Sequence, residues 1–208
     1  MEIQYYGANC VRLSNKKATI VIDDNLAEVG QKTVTKSGDI ALFTGAHGNT
    51  GADVKITINQ PGEYEVSNTS VVGIAARAHM DEAGTNHATM FKIVSEDVRI
   101  VVVGHIYPDL TDNQLEEIGM VDVLVVPVGG NGFTLDPVGA LKVIRKIGPK
   151  VVIPTHFAEK GLDYAVPQQD LSAVLQELGM EPTEAVAKYK FKPGEQPDTT
   201  QLVILEKQ

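Results

Sequence analysis

The chain has 208 residues, of which 43% are hydrophobic and 22% charged, and its net charge is −9. This length and composition predict one globular domain, residues 1–208, and exclude a disordered chain. The acidic balance and the scattered lysines argue against a nucleic-acid-binding protein, because such proteins normally carry a basic face. The single cysteine, Cys10, excludes a disulfide framework and a cysteine-based zinc site, and we expect it to pack as a small hydrophobic residue.

The sequence pattern indicates neither a targeting signal nor a membrane-spanning segment. The N-terminus has no basic segment followed by an apolar run, and no apolar run approaches the roughly 20 residues that a membrane-spanning helix needs. We therefore expect a cytoplasmic protein that does not contact a membrane. Its expected partner is an unidentified small-molecule substrate or ligand, and the sequence leaves oligomer formation open.

The first half of the chain consists of short apolar or alternating segments separated by turns, a pattern that predicts β-strands. These segments lie at residues 3–6, 10–13, 18–22, 40–43, 54–58, 64–78, 89–94 and 98–103. The last two are expected to form a hairpin around Glu96 and Asp97.

The second half alternates helices with strands, which predicts a mixed α/β architecture. Helices are expected at residues 111–118, 136–147 and 170–178, and each of the first two has a capping residue at its start and is followed by glycine. In the second helix an apolar stripe is predicted on Val138, Leu141, Val143, Ile144 and Ile147. Strands are expected at residues 121–126, 151–153 and 201–205.

Four of the five histidines follow apolar runs: His47, His79, His105 and His156. Loops at the ends of strands converge at sheet edges, and neutral imidazole is the commonest metal ligand in proteins. A single histidine at the end of a strand is typical of an isolated loop residue, whereas the pattern of four is equally consistent with a shared metal site. His87 lies in a polar loop and is expected to be solvated.

Several segments, in this order, resemble the metallo-β-lactamase superfamily, in its branch of small zinc-dependent hydrolases. The resemblance runs from Ile3 to about Phe157 and rests on residues 6–10, 20–23, 61–66, 115–119, 121–130 and 151–157. It implies an αββα four-layer sandwich with the metal site at one edge of two sheets.

The catalytic motif departs from that family. The family carries Thr/Ser-His-x-His-x-Asp-His, whereas residues 44–50 here read Thr-Gly-Ala-His-Gly-Asn-Thr. By this resemblance His47, His79 and His156 occupy ligand positions, and His105 replaces the carboxylate that bridges two metal ions. Gly45, Asn49 and Thr50 stand where the family has its other ligands.

These replacements predict at most one metal ion. Two cations about 3.5–4 Å apart need bridging anions, and the carboxylates are missing at positions 49 and 105. One zinc ion needs only three protein ligands and water, which His47, His79, His105 and His156 could supply. The sequence thus predicts one zinc ion or none, in a degenerate active site.

These sequence features are compatible with two functions. The first is a hydrolase-like protein with a rebuilt, mononuclear site and weak activity, in which Asp23 is the candidate catalytic residue because Asn49 cannot accept a proton. Asp24 and Asp81 are alternatives to Asp23. The second is a non-catalytic binding or scaffold protein that keeps the fold without a functional metal.

Overall fold

The computed structural model describes residues 1–45, 48, 50–191 and 197–208 of the chain. Within these residues the β-strands are β1 (Glu2–Gly7), β2 (Cys10–Ser14), β3 (Thr19–Ile22), β4 (Ile40–Leu42), β5 (Ile56–Ile58), β6 (Gly62–Val66), β7 (Thr69–Ala76), β8 (Ala88–Ser95), β9 (Val98–Val102), β10 (Val123–Pro127), β11 (Val151–Thr155), β12 (Tyr189–Lys190) and β13 (Gln201–Leu202). The α-helices are α1 (Asp112–Ile118), α2 (Pro137–Ile147) and α3 (Leu171–Leu178), and Leu26–Val29 forms a 3-10 turn.

The strands form two mixed sheets. The first has the order β12-β1-β2-β3-β4-β5, and the second has the order β13-β11-β10-β9-β8-β7-β6. Neighbours are parallel from β3 to β5 in the first sheet and along β9, β10, β11 and β13 in the second. The carboxyl ends of several strands therefore meet at one edge of each sheet.

The core lies between the two sheets. Residues alternate in direction along a strand, so Ile3, Tyr5, Val11 and Leu13 join the main core, whereas Cys10 belongs to a smaller apolar cluster that includes the 3-10 turn. Cys10 is fully buried, as expected for a packed apolar residue.

The three helices cover the outer face of the second sheet, where α1 contacts β7, α2 contacts β10, and α3 packs on α2. The predicted layered α/β sandwich is confirmed, and the outer layer over the first sheet includes the 3-10 turn. No helix in the described part of the chain has the length and apolarity that a membrane crossing requires.

Helix boundaries follow the capping residues that the sequence indicated. Thr111, Asp136 and Asp170 each accept a backbone N–H bond from three residues ahead, and glycine follows each helix at 119, 148 and 179. The predicted stripe on α2 is wrong at Val138, which is 66% exposed. Its buried face instead includes Ala140, Val143 and Ile144.

The predicted long strand at residues 64–78 is two strands, β6 and β7. Ser67 and Asn68 both have positive φ, at 53° and 58°, and they turn the chain into an antiparallel hairpin. A Ser-Asn pair is a weaker turn signal than Asn-Gly, so the sequence pattern alone does not indicate this turn. The hairpin around Glu96 and Asp97 is confirmed, with φ of 52° and 61°.

Candidate functional site

Five polar residues follow the carboxyl ends of strands at the rim of the sandwich. Asp23 follows β3 and Thr44 follows β4, while His79, His105 and His156 follow β7, β9 and β11. Since β3 and β4 are parallel, as are β9, β10 and β11, each set of strand ends lies at one sheet edge. Ligand sites of α/β proteins are commonly built at such edges.

A cavity of about 230 Å³ opens between these loops. The predicted residues that line it are Asp23, His105 and His156, and Thr44 and Gly45 complete that part of the wall. The remaining lining residues come mostly from the loops after β1, β3 and β11: Ala8, Asn9, Asn25, Glu28, Val29, Phe133, Tyr164, Ala165, Val166 and Gln168.

Asp23 is held by Thr44. The Thr44 amide donates to Asp23 Oδ1 over 2.7 Å, and the Thr44 hydroxyl donates to Oδ2 over 2.6 Å. Burial raises the pKa of Asp23 to about 6, although the two bonds from Thr44 act in the opposite direction. The carboxylate is thus fixed in orientation and has a pKa close to neutrality.

Gly104 allows this arrangement. Its φ is +62°, and a Cβ atom at this position would lie 2.1 Å from Thr44 Oγ1. Only glycine avoids both the backbone strain and the overlap. Gly45, by contrast, has nothing within 4 Å of where its Cβ would be.

His105 and His156 meet edge to face, with ring centroids 4.6 Å apart and an interplanar angle of 87°. Burial, with a further contribution from the neighbouring His156, lowers the pKa of His105 to about 3. Burial likewise lowers the pKa of His156 to about 4, although a contact between its Nδ1 and Gln168 Oε1 at 3.2 Å opposes the shift. Both rings are therefore neutral at pH 7, the form that binds metal ions.

The backbone of His156 is held in an unusual conformation. Its φ is 56°, and its N–H donates to the Ala8 carbonyl over 2.8 Å. Gly129 packs against it so closely that a Cβ would lie 2.0 Å from the His156 carbonyl oxygen. Backbone strain of this kind clusters at functional sites.

His79 is next to His105 through the backbone, because its N–H donates to the His105 carbonyl over 2.8 Å. The Nδ1 atoms of His79 and His105 are buried and have no hydrogen-bond partner among the described residues. A buried polar atom without a partner costs about 1–3 kcal/mol. These nitrogens are therefore candidates for contact with a bound ligand or ion.

His87 is solvated, as expected, since its side chain is 68% exposed. Its Nδ1 lies 2.9 Å from Asp81 Oδ1, and this contact is the main reason that the pKa of Asp81 is lowered to about 2. Asp24 accepts bonds at Oδ2 from Val34 and Thr35 and does not line the cavity. Neither Asp81 nor Asp24 lines the cavity as Asp23 does.

Only part of the predicted four-histidine site lies within the described residues. His47 and Asn49 lie outside the described residues. Within the described ranges, no three His, Cys, Asp or Glu residues lie close enough together to hold a metal ion. The structure brings His105 to both His79 and His156.

The lining residues that the sequence pattern does not indicate include Phe133, Tyr164 and Gln168. The Phe133 and Tyr164 rings lie 5.3 Å from His105 and 4.9 Å from His156, respectively. They belong to the loops that follow β10 and β11. The rule that loops at the carboxyl ends of parallel strands carry function could have found them.

Comparisons with known proteins agree with this fold. A family model described as a beta-lactamase superfamily domain matches residues 2–156. A UPF0173 metal-dependent hydrolase from Thermus thermophilus is 24% identical over 94% of this chain and 97% of its own length. Another, from Carboxydothermus hydrogenoformans, is 51% identical over 43 residues, which are 21% of this chain and 19% of that protein.

Solved structures show the same architecture. A Zn-dependent hydrolase of the metallo-beta-lactamase superfamily from Thermotoga maritima has a TM-score of 0.75 and 25% identity, covering 99% of this chain and 98% of that one. A metallo hydrolase from Ignicoccus hospitalis has a TM-score of 0.62 at 18% identity, covering 92% of this chain and 99% of that one. The second likeness shows the fold alone.

Proposed function

Because the chain belongs to the beta-lactamase superfamily, we propose that it is a metal-dependent hydrolase with at most one metal ion and weak hydrolytic activity. The observation that carries this proposal is the meeting of His105 and His156, 4.6 Å apart, in a cavity that Asp23 also lines. The names of the relatives from Thermus and Carboxydothermus, both metal-dependent hydrolases, support it.

The chemistry of the available donors fits one zinc ion. His105 and His156 are neutral and buried, and buried Nδ1 atoms of His79 and His105 lack a partner among the described residues. We propose that the ligands come from His47, His79, His105 and His156. A bound zinc ion would supply Lewis acidity and lower the pKa of its water to about 7. The imidazole at position 105 brings no negative charge to offset a second ion.

Asp23 is the proposed catalytic residue. Its carboxylate lines the cavity, and a pKa of about 6 suits a group that accepts a proton near neutral pH. The proton of the attacking water would pass to one of its Oδ atoms. Thr44 keeps the carboxylate in place, since it donates to both oxygens.

Metal analysis tests the proposal directly. Zinc bound per chain should be close to one in the parent protein after dialysis, and it should fall several-fold in His105→Ala and in His156→Ala. His87→Ala is the matched control, because His87 is solvent-exposed and does not line the cavity. Two tightly bound ions, or unchanged binding in both site variants, would contradict the proposal.

The second candidate is a non-catalytic binding protein that keeps the fold. The observation that favours it is that no three ligand-type residues are close enough to hold a metal within the part of the chain that the structure describes. A protein that binds no zinc, yet binds small molecules in the cavity, would establish this function over the first.

A further inference from the structure

The side-chain amide of Gln168 has a defined orientation. Its Nε2 donates to the carbonyl oxygen of Val166 over 2.7 Å, within the loop that follows β11. A carbonyl oxygen can only accept a hydrogen bond, so the opposite orientation of the amide would place two oxygens against each other. The other amide atom, Oε1, therefore faces Nδ1 of His156 at 3.2 Å.

This contact specifies where the proton of the His156 ring lies. A neutral imidazole carries one proton, on either Nδ1 or Nε2, and Oε1 of Gln168 can only accept a hydrogen bond. The contact is a hydrogen bond when the proton is on Nδ1, whereas two lone pairs face each other when it is on Nε2. A free histidine side chain in water prefers the proton on Nε2, so the contact with Gln168 opposes the intrinsic preference of the ring.

Hydrogen bonds of the backbone hold the two partners together. The His156 N–H donates to the Ala8 carbonyl over 2.8 Å, and the Gln169 N–H donates to the Gly129 carbonyl over 2.9 Å. Gly129 packs against both partners, because a Cβ atom there would lie 2.0 Å from the His156 carbonyl oxygen and 2.3 Å from Gln168 Oε1. The fold thus sets the distance between the ring and the amide.

Nε2 is the ring nitrogen that remains for a ligand in the cavity that His156 lines, since Nδ1 faces Gln168. We infer that Gln168 is a positioning residue, which holds neutral His156 as the Nδ1–H tautomer and so presents the lone pair of Nε2 as the ligand atom. A hydrogen bond to the second ring nitrogen commonly fixes the tautomer of metal-binding histidines. The inference rests on the proposed function only for what binds at Nε2, because the tautomer is a property of the metal-free chain.

NMR spectroscopy of the metal-free full chain tests the tautomer directly. Long-range proton–nitrogen correlation spectra of isotope-labelled protein are recorded at pH 7.5, where a histidine with an ordinary pKa is mainly neutral. The His156 signals are assigned through their contacts with the Tyr164 ring, whose centroid lies 4.9 Å from that of His156. Protonated and unprotonated ring nitrogens resonate at well-separated frequencies. We expect the proton on Nδ1 in the parent protein, and a proton on Nε2 would overturn the inference.

Three variants test whether Gln168 selects the tautomer. Gln168→Leu removes the acceptor, so the ratio of Nδ1–H to Nε2–H should fall by about 2–10-fold, the factor expected for one neutral hydrogen bond. Gln168→Glu keeps an acceptor oxygen of similar reach and should retain the Nδ1–H form. Gln169→Leu is the matched control, because this neighbouring glutamine does not line the cavity, and it should leave the ratio unchanged.

The variants can contradict the inference in two independent ways. An unchanged ratio in Gln168→Leu, or the same loss in Gln168→Leu and Gln169→Leu, would show that Gln168 does not select the tautomer. Loss of the Nδ1–H form in Gln168→Glu would show the same, and this result applies even if the leucine variant does not fold.

Zinc binding separates this inference from the proposed function. The dissociation constant for zinc is measured by competition with a chelator, and it should rise by about 10–100-fold in Gln168→Leu. A parent protein with the proton on Nδ1 but without zinc binding would refute the metal site and retain the tautomer. Zinc binding in a parent protein with the proton on Nε2 would do the opposite. A changed tautomer with unchanged zinc affinity in Gln168→Leu would show that Nε2 of His156 is not the ligand atom.

Discussion

Thr44 donates two hydrogen bonds to Asp23, one from its amide over 2.7 Å and one from its hydroxyl over 2.6 Å. The pair joins the ends of β3 and β4, and Gly104 from the second sheet packs against the same threonine. Thr44 thus links the two sheets beside the cavity and orients the Asp23 carboxylate, to which we assign proton transfer.

The substitution Asp23→Asn should separate the structural role from the chemical one. The amide oxygen can accept from the Thr44 N–H, and the hydroxyl can turn to accept from the amide NH₂, so stability should change by less than about 1 kcal/mol. Hydrolysis should fall by about 10²–10⁴-fold, since an amide cannot take a proton. Urea unfolding and hydrolysis kinetics measure the two effects. Activity that survives in this variant would make Asp23 a positioning residue.

Gly104→Ala should destabilise the protein by about 1–3 kcal/mol, because the new Cβ would overlap Thr44 Oγ1. Gly45→Ala is the matched control on the same rim. The Cβ atom added at position 45 would have no neighbouring atom within 4 Å, so this variant should change the free energy of unfolding by no more than about 0.5 kcal/mol. Denaturant unfolding measures the stability of both variants. Similar losses of stability would show that overlap with Thr44 does not cause the destabilisation of Gly104→Ala.

Asp122 should make stability sensitive to acid. It is buried immediately before β10 and accepts bonds from Arg99 and Lys150. Burial alone would raise the pKa of Asp122, but these bonds outweigh it and the pKa is lowered. A lowered folded-state pKa gives stability that is present above the unfolded pKa of about 3.9 and is lost as the pH falls through the folded value.

The variant Asp122→Asn should therefore be less stable than the parent by about 1–3 kcal/mol at pH 7, and this gap should narrow below about pH 4. Asp109→Asn is the control, since Asp109 pairs with Lys142 at the exposed surface, where water and salt screen the pair and it contributes little to stability. Unfolding free energies between pH 3 and 7 give the comparison. A gap that stays constant with pH would contradict the assigned ion pairs.

Restoring the family ligands should restore a second metal. The quadruple variant Gly45→His, Asn49→Asp, Thr50→His and His105→Asp is expected to bind two zinc ions per chain, because it returns both carboxylates. The open space around Gly45 leaves room for the start of a larger side chain. Asn49→Asp alone should not raise the zinc content. Elemental analysis at matched zinc loading measures the zinc content of both variants. One ion or none in a folded quadruple variant would contradict the prediction that the missing ligands prevent binding of a second metal.

Phe133→Ala should raise the pKa of His105 from about 3 towards its ordinary value while leaving the fold intact, because the ring packs beside His105 and burial is the main cause of the lowered pKa. Val138→Ala removes an exposed apolar group from α2, outside the cavity, and should leave this pKa unchanged. NMR titration of the His105 ring measures the pKa in both variants. An unchanged pKa in Phe133→Ala would show that this ring does not shield His105 from water.

Local signals in the sequence determined the elements and most of their ends. Capping residues and glycines placed the first two predicted helices, and alternation placed most strands, because both depend on residues within a few positions of each other. The Ser67-Asn68 turn escaped this reasoning because a polar pair in an otherwise regular strand pattern is compatible with either structure. The position of His105, at the end of a strand, was also readable in advance.

Only the tertiary structure decided what those strand ends form together. The meeting of His105 with His156 joins residues 51 positions apart, and the support that Gln168, Phe133 and Tyr164 give them comes from loops without a local motif. The raised pKa of Asp23 and the lowered pKa values of the two histidines likewise arise mainly from burial. Burial depends on how two sheets close over each other, and no stretch of the chain contains that information by itself.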